Sequence, residues 1–416
     1  MATTYFKSFL NKDQYDTYVA NTDLPSIFVG YIAEDDDVIY LKDSPAFQPF
    51  TITAITSTTI RFRDHYNYST DNGETWTYAN EWVEVNLQAD DTLQLRGNFN
   101  EQMSNDWIQI GGENDRVKLS GNVMSLYYGD AYYKASLPSD GTLNFAGVFS
   151  YEPALVDVSG IILPNTAPDG AFREMFAHCD NLTNAGFTIN AKNCGIQSYL
   201  AMFSDCGSLT TPPIINVKNI AHEGMLQMFQ NCYSLVNAPD LSSITGYVSK
   251  NGLTTGGAFK SMFEACSSLT NIPMVPTLDQ DGNTDTYQCM FKNCSSLATA
   301  PEFTIIGATW EGEGGGKYYQ MFNGCSSLSD ASDLTFSTDD NCIYFQNDWT
   351  AQIFDGCTSL TNIRFTGSSL PQRWASNWLD NTTGGTITID AGQSTSDWET
   401  ALGLDTSIWT CVEAQS

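Results

Sequence analysis

Basic side chains are scarce in this 416-residue chain, and their scarcity argues against several classes of partner. There are 18 Lys and Arg residues against 48 Asp and Glu residues, so the formal net charge is −30. Proteins that bind a phosphate backbone use clustered Lys and Arg, and an anionic membrane surface attracts the same residues. The composition therefore argues against nucleic-acid binding and against adhesion to an anionic membrane.

Long apolar runs and export signals are also missing. No run approaches the roughly 20 apolar residues that a membrane-spanning helix needs. Residues 1–7 contain neither the apolar core of a signal peptide nor a lipobox cysteine. We therefore expect no membrane insertion, and we expect a protein that stays in the cytoplasm or leaves it by lysis.

Motifs for catalysis and for metal binding are absent as well. The three histidines, His65, His178 and His222, share no motif. No H-E-x-x-H, G-x-S-x-G or Walker pattern occurs, and no C-x-x-C pair begins a zinc site. The sequence predicts a protein that is not an enzyme, with no catalytic, cofactor-binding or metal-binding residues and no cofactor.

A repeated phrase, Met-Phe-x-x-Cys-x-x-Leu, dominates the chain between residues 149 and 365. Its phenylalanines are Phe176, Phe203, Phe229, Phe263, Phe291, Phe322 and Phe354, with Ile353 replacing Met in the last copy. A degenerate copy, Phe149…Glu152…Leu155, precedes them and is typical of a capping repeat. Internal repeats of 20–50 residues indicate a solenoid, in which each unit buries its apolar face against the next.

The spacing inside the phrase predicts how one coil is built. Phe, Cys and Leu at i, i+3 and i+6 fall near one face of a helical or 3₁₀ turn, and a short β-rich run such as residues 214–217 follows. Parallel strands of successive coils lie about 4.8 Å apart, so eight coils would make a core roughly 40 Å long.

Seven of the eleven cysteines belong to the repeated phrase. A disulfide or metal framework is one interpretation, and a column of buried thiols is the other. Free cysteine is a small residue that is often buried, and one cysteine per coil at a fixed place favours the thiol column. Cys194, Cys289, Cys342 and Cys411 fall outside the register and stay unassigned.

The rest of the chain is β-rich and suggests four segments: 1–45, 46–140, the solenoid at 141–365, and a C-terminal cap at 366–416 that contains several tryptophans. The first segment holds two expected strands, 26–31 and 38–41, joined through the acidic run 34–37. In the second, residues 69–76 match the Asp-box pattern S-x-D-x-G-x-T-W of sialidases and many other β proteins. Its role there is structural, so it leaves a carbohydrate-binding or glycosidase-like protein only as a second alternative, after the adhesin considered below.

Polar or Gly-rich insertions separate the copies at 246–257, 278–286 and 307–317. Insertions in solenoids map to loops on one face, which is often the binding face. The aromatic residues at or beside these loops are Tyr247, Tyr287, Trp310, Tyr318 and Tyr319. They are candidates for stacking on sugar rings or anchoring a protein partner, but they would equally well cover the edges of the coils.

The phrases "MFEACSSLTNIP" and "MFKNCSSLATAP" resemble the BspA-type leucine-rich-repeat family of Bacteroidetes and their phages. The preceding "LQLRGN" and "LSGNVMSLYYGD" are similar to an entry module of such repeats, so the resemblance covers about residues 85–365. The N-terminal "YFKSF…LPSIFVGYIAEDDDVIYL" is similar to lead segments of structural proteins of Bacteroides phages, including crAss-like phages. The family implies binding to host or partner proteins and no shared catalytic residues.

From this resemblance we expect a phage virion component, either a head or tail fibre or a decoration protein. Segment 1–45 would attach it to other virion proteins, and the solenoid would contact a bacterial surface glycan or protein, in a homo-oligomer. The alternative is a BspA-like adhesin at the bacterial cell surface. Secreted adhesins of the family carry an export signal, which this sequence lacks, so the virion interpretation is favoured.

Overall fold

The computed structural model describes residues 30–32, 39–41, 48–129, 132, 135–249, 256–278, 285–306, 316–337, 350–367, 369–371 and 377–415. The acidic run 34–37, Trp310, Cys342 and Trp374 lie outside these residues. The protein is β-rich with few helices and contains a β-solenoid of about seven turns. The predicted repeat solenoid is therefore confirmed.

Two short strands represent the N-terminal segment, β1 (Gly30–Ile32) and β2 (Ile39–Leu41). They pair antiparallel, with Gly30 opposite Leu41 and Ile32 opposite Ile39. The first expected strand, 26–31, overlaps β1 at residues 30 and 31, and residues 26–29 lie outside the described residues; β2 lies within the second expected strand, 38–41.

Antiparallel strands follow up to residue 122. They are β3 (Phe50–Ala54), β4 (Thr58–Phe62), β5 (Tyr66–Ser69), β6 (Thr77–Tyr78), β7 (Val83–Leu87), β8 (Thr92–Gly97), β9 (Ile108–Ile110) and β10 (Val117–Asn122), after which comes helix α1 (Ser125–Tyr128). β7, β4 and β9 form one sheet, and the other strands belong to a six-stranded sheet. Apolar and polar residues alternate along β8, so one face of the larger sheet is buried and the other meets solvent.

The six-stranded sheet joins this region to the solenoid. β10 pairs antiparallel with β3 on one side and parallel with β11 (Leu155–Ile162), the strand of the first coil, on the other. The rings of Phe50 and Phe149 stack 5.3 Å apart across the same junction. The boundary expected near residue 140 therefore separates two sequence patterns, while the hydrophobic core continues across it.

The later coils contribute parallel strands in register. They are β12 (Thr188–Asn193), β13 (Ile214–Ile220), β14 (Gly246–Tyr247), β15 (Phe303–Ile306), β16 (Asp330–Ser337), β17 (Asn362–Thr366), β18 (Gly385–Ile389) and β19 (Trp409–Glu413). β12 to β14 form one parallel sheet, and β15 to β19 form another. Equivalent residues of neighbouring coils lie side by side, as in the pairing of Ile189 with Ile215.

The repeated phrase itself is a chain of tight turns, and the expected helical or 3₁₀ turn is wrong. In residues 170–178, the N–H of Met175 donates to the carbonyl of Phe172 within the coil, whereas the N–H of Phe176 donates to Met202 in the next coil. Backbone N–H groups alternate between these two kinds of bond along the segment. A helix keeps all such bonds internal; this segment, which we call the turn ribbon in every coil, shares half of them with its neighbour.

Left-handed residues recur every fourth position along the turn ribbon. In the coil of Phe203 they are Gln197, Ala201 and Asp205, with φ of 55°, 50° and 61°. The same three places are left-handed in the coils of Phe229, Phe263 and Phe291. This conformation is costly for residues with a Cβ, and the hydrogen bonds to both neighbouring coils hold it in place.

Two columns of stacked side chains run through the core, one wholly aromatic and one aromatic except at Met225. The phenylalanine column has ring centroids 5.3–5.8 Å apart and comprises Phe50, Phe149, Phe176, Phe203, Phe229, Phe263, Phe291, Phe322 and Phe354. A second column uses the residue four places before each phenylalanine: Phe145, Phe172, Tyr199, Met225, Phe259, Tyr287 and Tyr318. All of these side chains are buried, so the core is continuous along the rod.

The C-terminal region adds β18 and β19 to the second parallel sheet and packs tryptophans against the last rings of the core. Trp378 meets Phe354 at the end of the phenylalanine column, and the buried Trp398 on helix α2 (Thr395–Leu402) packs on Phe365. The Glu399 carboxylate of α2 accepts a hydrogen bond from the N–H of Cys411 on β19, the outermost strand. A helix side chain that occupies a backbone N–H of an edge strand opposes the addition of a further strand there.

Candidate binding surface

The repeat cysteines form the predicted column of buried thiols. Their side chains are buried, and none of the described cysteines forms a disulfide. Each thiol lies 3.0–3.2 Å from the carbonyl oxygen of the phenylalanine one coil earlier and donates to it, as Cys206 does to Phe176. Burial raises the pKa of Cys206 and Cys266 to about 12. Thiols held in this way are poor nucleophiles and metal ligands.

The cysteines outside the register differ in their surroundings. Cys194 is buried, with its sulfur 2.8 Å from the Ser198 hydroxyl, and Cys411 is buried on β19. Cys289 is half-buried on the turn ribbon, 3.7 Å from the Gln320 side-chain oxygen. In the part of the chain that the structure describes, His, Cys, Asp and Glu nowhere gather in a group of three that would hold a metal ion.

Two of the predicted binding residues are core residues. Tyr287 and Tyr318 belong to the second aromatic column, where their rings stack 5.7 Å apart. The Tyr287 hydroxyl donates to the carbonyl of Pro276 at 2.7 Å. Neither ring is accessible to a ligand, so the expectation that these two tyrosines bind a partner is corrected.

The other predicted binding residues do not form one cluster. Tyr247 is exposed on β14 and pairs with Ile220, at the far end of β13. Tyr319 is half-buried on the turn ribbon, and Trp310 lies outside the described residues. The structure thus leaves Tyr247 and Tyr319 as separate surface positions.

The corner that links the turn ribbon to the strands is rich in hydroxyl groups, and these groups have a structural role. The hydroxyl of Thr210 donates to the carbonyl of Thr183 in the preceding coil, and that of Thr361 donates to Ser329, each at 3.0 Å. A side chain that satisfies a backbone carbonyl between coils stabilises the stack. Ser and Thr in the repeated phrase therefore need no ligand to explain them.

Exposed apolar residues interrupt this corner in three consecutive coils. We call Ile214, Tyr233, Val236 and Met274 the corner patch. Tyr233 stands where the preceding coil has Gly207, and a Cβ added to that glycine would lie 3.3 Å from the Tyr233 ring. Each of the four side chains is at least 42% exposed.

The four residues of the corner patch come from three successive coils. Tyr233 and Val236 belong to the coil of Phe229, while Ile214 and Met274 start the strand side of the coils before and after it. The N–H of Thr270 donates to the carbonyl of Val236 at 3.0 Å, which fixes the order of the coils here. In the coil between Ile214 and Met274 the equivalent place holds Asp240, which is also exposed. Exposed apolar residues that recur at one corner of neighbouring coils are a mark of interaction sites, and we take the corner patch as the candidate binding surface.

The turn ribbon carries a second exposed feature near the start of the solenoid. The ring of Tyr151, 65% exposed, stacks on that of His178 at 4.2 Å. His178 lies 3.7 Å from the Asp205 carboxylate, which also accepts from the Asn231 amide at 2.7 Å. The row is polar and internally bonded, so it covers the ribbon without forming a cleft.

Sequence reasoning missed the corner patch although a signal was present. The phrase reads Cys-Ser-Ser-Leu-Thr in the coil of Phe263 but Cys-Tyr-Ser-Leu-Val in the coil of Phe229. Alignment of the repeats against one another would have shown two large apolar residues at polar, exposed positions. The prediction instead placed the binding residues at the insertions between the copies.

Comparisons with known proteins add no relative to this description. No protein-family model matches the chain, and no curated protein or solved structure matches it either. Among the described residues, no helix is both long enough and apolar enough to cross a membrane.

Proposed function

We propose that this chain is a non-enzymatic binding protein of the BspA-like repeat type that serves as a fibre or decoration component of a phage virion. Its solenoid is a rigid rod, and the corner patch is the surface through which the rod contacts a protein partner. The family and the virion setting rest on the sequence resemblance. The binding role rests on the corner patch.

The corner patch is the observation that carries the binding role. Apolar side chains on the outside of a repeat cost solubility, and the neighbouring coils place Ser, Thr or Gly at the positions of Tyr233 and Val236. The rod gains nothing in its own core from these two exposed residues. A partner that covers them gains apolar burial at about 25 cal/mol per Å².

Charge favours a partner other than an acidic surface. With a net charge of −30, the chain repels other acidic surfaces at long range. The corner patch would allow the solenoid to bind a partner through a small apolar contact, without electrostatic attraction. Interfaces of this type depend on a few aromatic anchors, and Tyr233 is the aromatic residue of the patch.

Immunogold labelling tests the virion setting. An antibody to residues 145–365 is applied to particles purified from phage-infected Bacteroides cultures and to uninfected cells. We expect label on the particles, and its place on head or tail then distinguishes decoration from receptor contact. Label confined to uninfected cell envelopes would overturn the virion setting in favour of a surface adhesin.

A double substitution tests the corner patch itself. Tyr233→Ser with Val236→Thr introduces the residues that the coil of Phe263 carries, so folding should be unchanged. We expect the variant to lose co-purification with the particle proteins that the unaltered chain retains. Tyr247→Ser, an exposed tyrosine at the other end of the strands, is the matched control and should retain them; equal retention by both variants contradicts the assignment.

A further inference from the structure

A row of aromatic, amide and cationic side chains crosses the outward face of the six-stranded sheet. Asn67 on β5 pairs with Tyr78 on β6 and with Arg96 on β8. Residues directly opposite each other on neighbouring strands point to the same face, and neighbouring strands lie about 4.8 Å apart. The alternate residues Leu93 and Leu95 of β8 are buried on the other face.

Trp76 extends this row and is held in a fixed orientation. Its ring N–H donates to the carbonyl of Gly73 at 3.1 Å, and the Arg96 guanidinium lies 3.8 Å from the ring centroid. The turn beneath it is tied by Asp71, which accepts from the N–H and the hydroxyl of Thr75 at 2.9 and 2.6 Å. These bonds lower the pKa of Asp71 to about 2, so the turn keeps its charge at neutral pH.

His65 borders Tyr78 at the end of the row. The two rings lie 6.4 Å apart and nearly perpendicular, and His65 Nδ1 is 2.9 Å from the Asp64 carboxylate. The backbone of His65 is left-handed, with φ of 71°. His65 lies in the turn between β4 and β5, and histidine is one of the residue types enriched in this conformation.

We propose that His65, Asn67, Trp76, Tyr78 and Arg96 form a binding face for a neutral glycan. A sugar ring has an apolar C–H face and an edge of hydroxyl groups. The Tyr78 ring, 49% exposed, offers a flat surface on which the C–H face of the sugar can stack. The Asn67 amide both donates and accepts, and Arg96 donates, which suits the hydroxyl edge.

The charges around the face select a neutral ligand. Arg96 is the cation of the row, and Asp71 lies in the turn beneath Trp76. Asp64 is paired with Arg63 at 3.3 Å, so the charges at the face balance and leave no excess of positive charge. The whole chain is strongly acidic. Nucleic acids and glycans that carry carboxylates or sulfates are therefore repelled, whereas an uncharged sugar meets no such barrier.

An extended peptide is the other occupant to consider, because β6 is the outer strand of the sheet. Strand addition would use the backbone of β6 and would not depend on the side chains of Tyr78 and Asn67. A glycan, in contrast, depends on both. This difference decides the design of the experiment, which does not rely on the virion assignment or on the corner patch.

The test is calorimetric titration of the full chain with the neutral hexasaccharides cellohexaose, mannohexaose and xylohexaose. We expect at least one to bind, and Tyr78→Ala and Asn67→Ala each to weaken that binding at least tenfold. Tyr151→Ala, an exposed tyrosine on the solenoid that belongs to neither proposed binding surface, is the matched control and should bind as the unaltered chain does. Tyr78→Thr, which suits an edge strand, repeats the test if the alanine variant unfolds.

Three results would overturn the proposal. The first is no binding of any of the three hexasaccharides at millimolar concentration. The second is binding that Tyr78→Ala and Asn67→Ala leave unchanged in correctly folded protein, as judged by equal melting temperatures. The third is binding of a hexauronate, titrated alongside the neutral sugars, that is tighter than the binding of any of them.

Discussion

The sulfur of Cys266 lies 3.1 Å from the carbonyl oxygen of Phe229, one coil earlier in the solenoid. The turn ribbon leaves this carbonyl facing the core, where water does not reach it. A thiol is a weak donor and costs less to bury than a hydroxyl. The Phe229 carbonyl also accepts from the N–H of Cys232 at 3.2 Å, so the thiol is its second donor. Cysteine thus adds a hydrogen bond between coils and fills apolar space at once, which accounts for its recurrence in the copies of the phrase.

Replacement of that thiol should destabilise the rod. Cys266→Ala removes one donor to Phe229 and leaves a small cavity, so we expect a loss of about 1–3 kcal/mol in the free energy of unfolding. Chemical denaturation followed by circular dichroism measures it. Cys289→Ala, at a half-buried position on the turn ribbon, should change the value by less than about 0.5 kcal/mol. Equal effects of the two changes would contradict the role of the column.

The phenylalanine column should be more sensitive still. Phe263 stacks between Phe229 and Phe291 at 5.6 and 5.7 Å, and Phe263→Ala should cost about 3–5 kcal/mol. Leu269→Asp, which buries a charge in the same coil, should be at least as harmful. A melting temperature for Phe263→Ala equal to that of the unaltered chain would show that the column does not support the fold.

Replacement of an alanine that has a left-handed backbone should, in contrast, stabilise the protein. Ala265 has φ of 62°, and the equivalent place in two later coils holds Gly324 and Gly356, also at positive φ. Ala265→Gly should stabilise the protein by up to about 1 kcal/mol, since glycine adopts this conformation without strain.

An alanine with an ordinary backbone provides the control for this change. Ala298 is exposed and is not among the residues with positive φ. Ala298→Gly should destabilise the protein by a few tenths of a kcal/mol to about 1 kcal/mol. Thermal unfolding that moves in the same direction for both variants would contradict the conformational argument.

The first coil predicts a dependence of stability on pH. Glu152 occupies the place of the column cysteine there, and burial raises its pKa to about 8, while a hydrogen bond from the Ile110 N–H opposes the shift. In the unfolded chain a Glu ionises near pH 4.3. The stability that the protonated group contributes is therefore fully present below about pH 4.3 and is lost as the pH rises through 8.

Glu152→Gln removes this ionisation and keeps an oxygen to accept the Ile110 N–H. We expect the variant to melt at a higher temperature than the unaltered chain at pH 9, with a smaller difference at pH 5. Melting temperatures of the two proteins measured from pH 5 to pH 9 provide the test. Parallel curves over this range would show that Glu152 ionises normally in the folded state.

The core of the solenoid was predictable because the same apolar residue returns at the same place in every copy. Phe263, Cys266 and Leu269 are buried as their spacing indicated. The turn ribbon was not predictable in the same way. Its left-handed places hold Gln197, Ala201, Glu223 and Cys289 as well as glycine, so no residue type marks them. Hydrogen bonds between coils impose the conformation, and these have no local signature.

The burial of Tyr287 and Tyr318 could have been predicted from their place in the repeat, although both lie beside insertions. Both stand four residues before the column phenylalanine, and that place is apolar in each coil from Phe145 to Tyr318. The pairing of β10 with β11 had no comparable signal, because strands that meet from different segments carry no shared motif. Alignment of the repeats thus predicts the inside of the rod better than the surfaces and the junction.

Most coils present inward residues of the same kinds, with Glu152 and Met225 as exceptions, while the loops between the copies differ in length. Coils of the common kind are in this sense interchangeable, since the removal or duplication of one leaves each column continuous. Length then changes in steps of about 4.8 Å, with roughly additive effects on stability. Gain or loss of repeats is therefore a direct means of changing the length of the solenoid without changing its core.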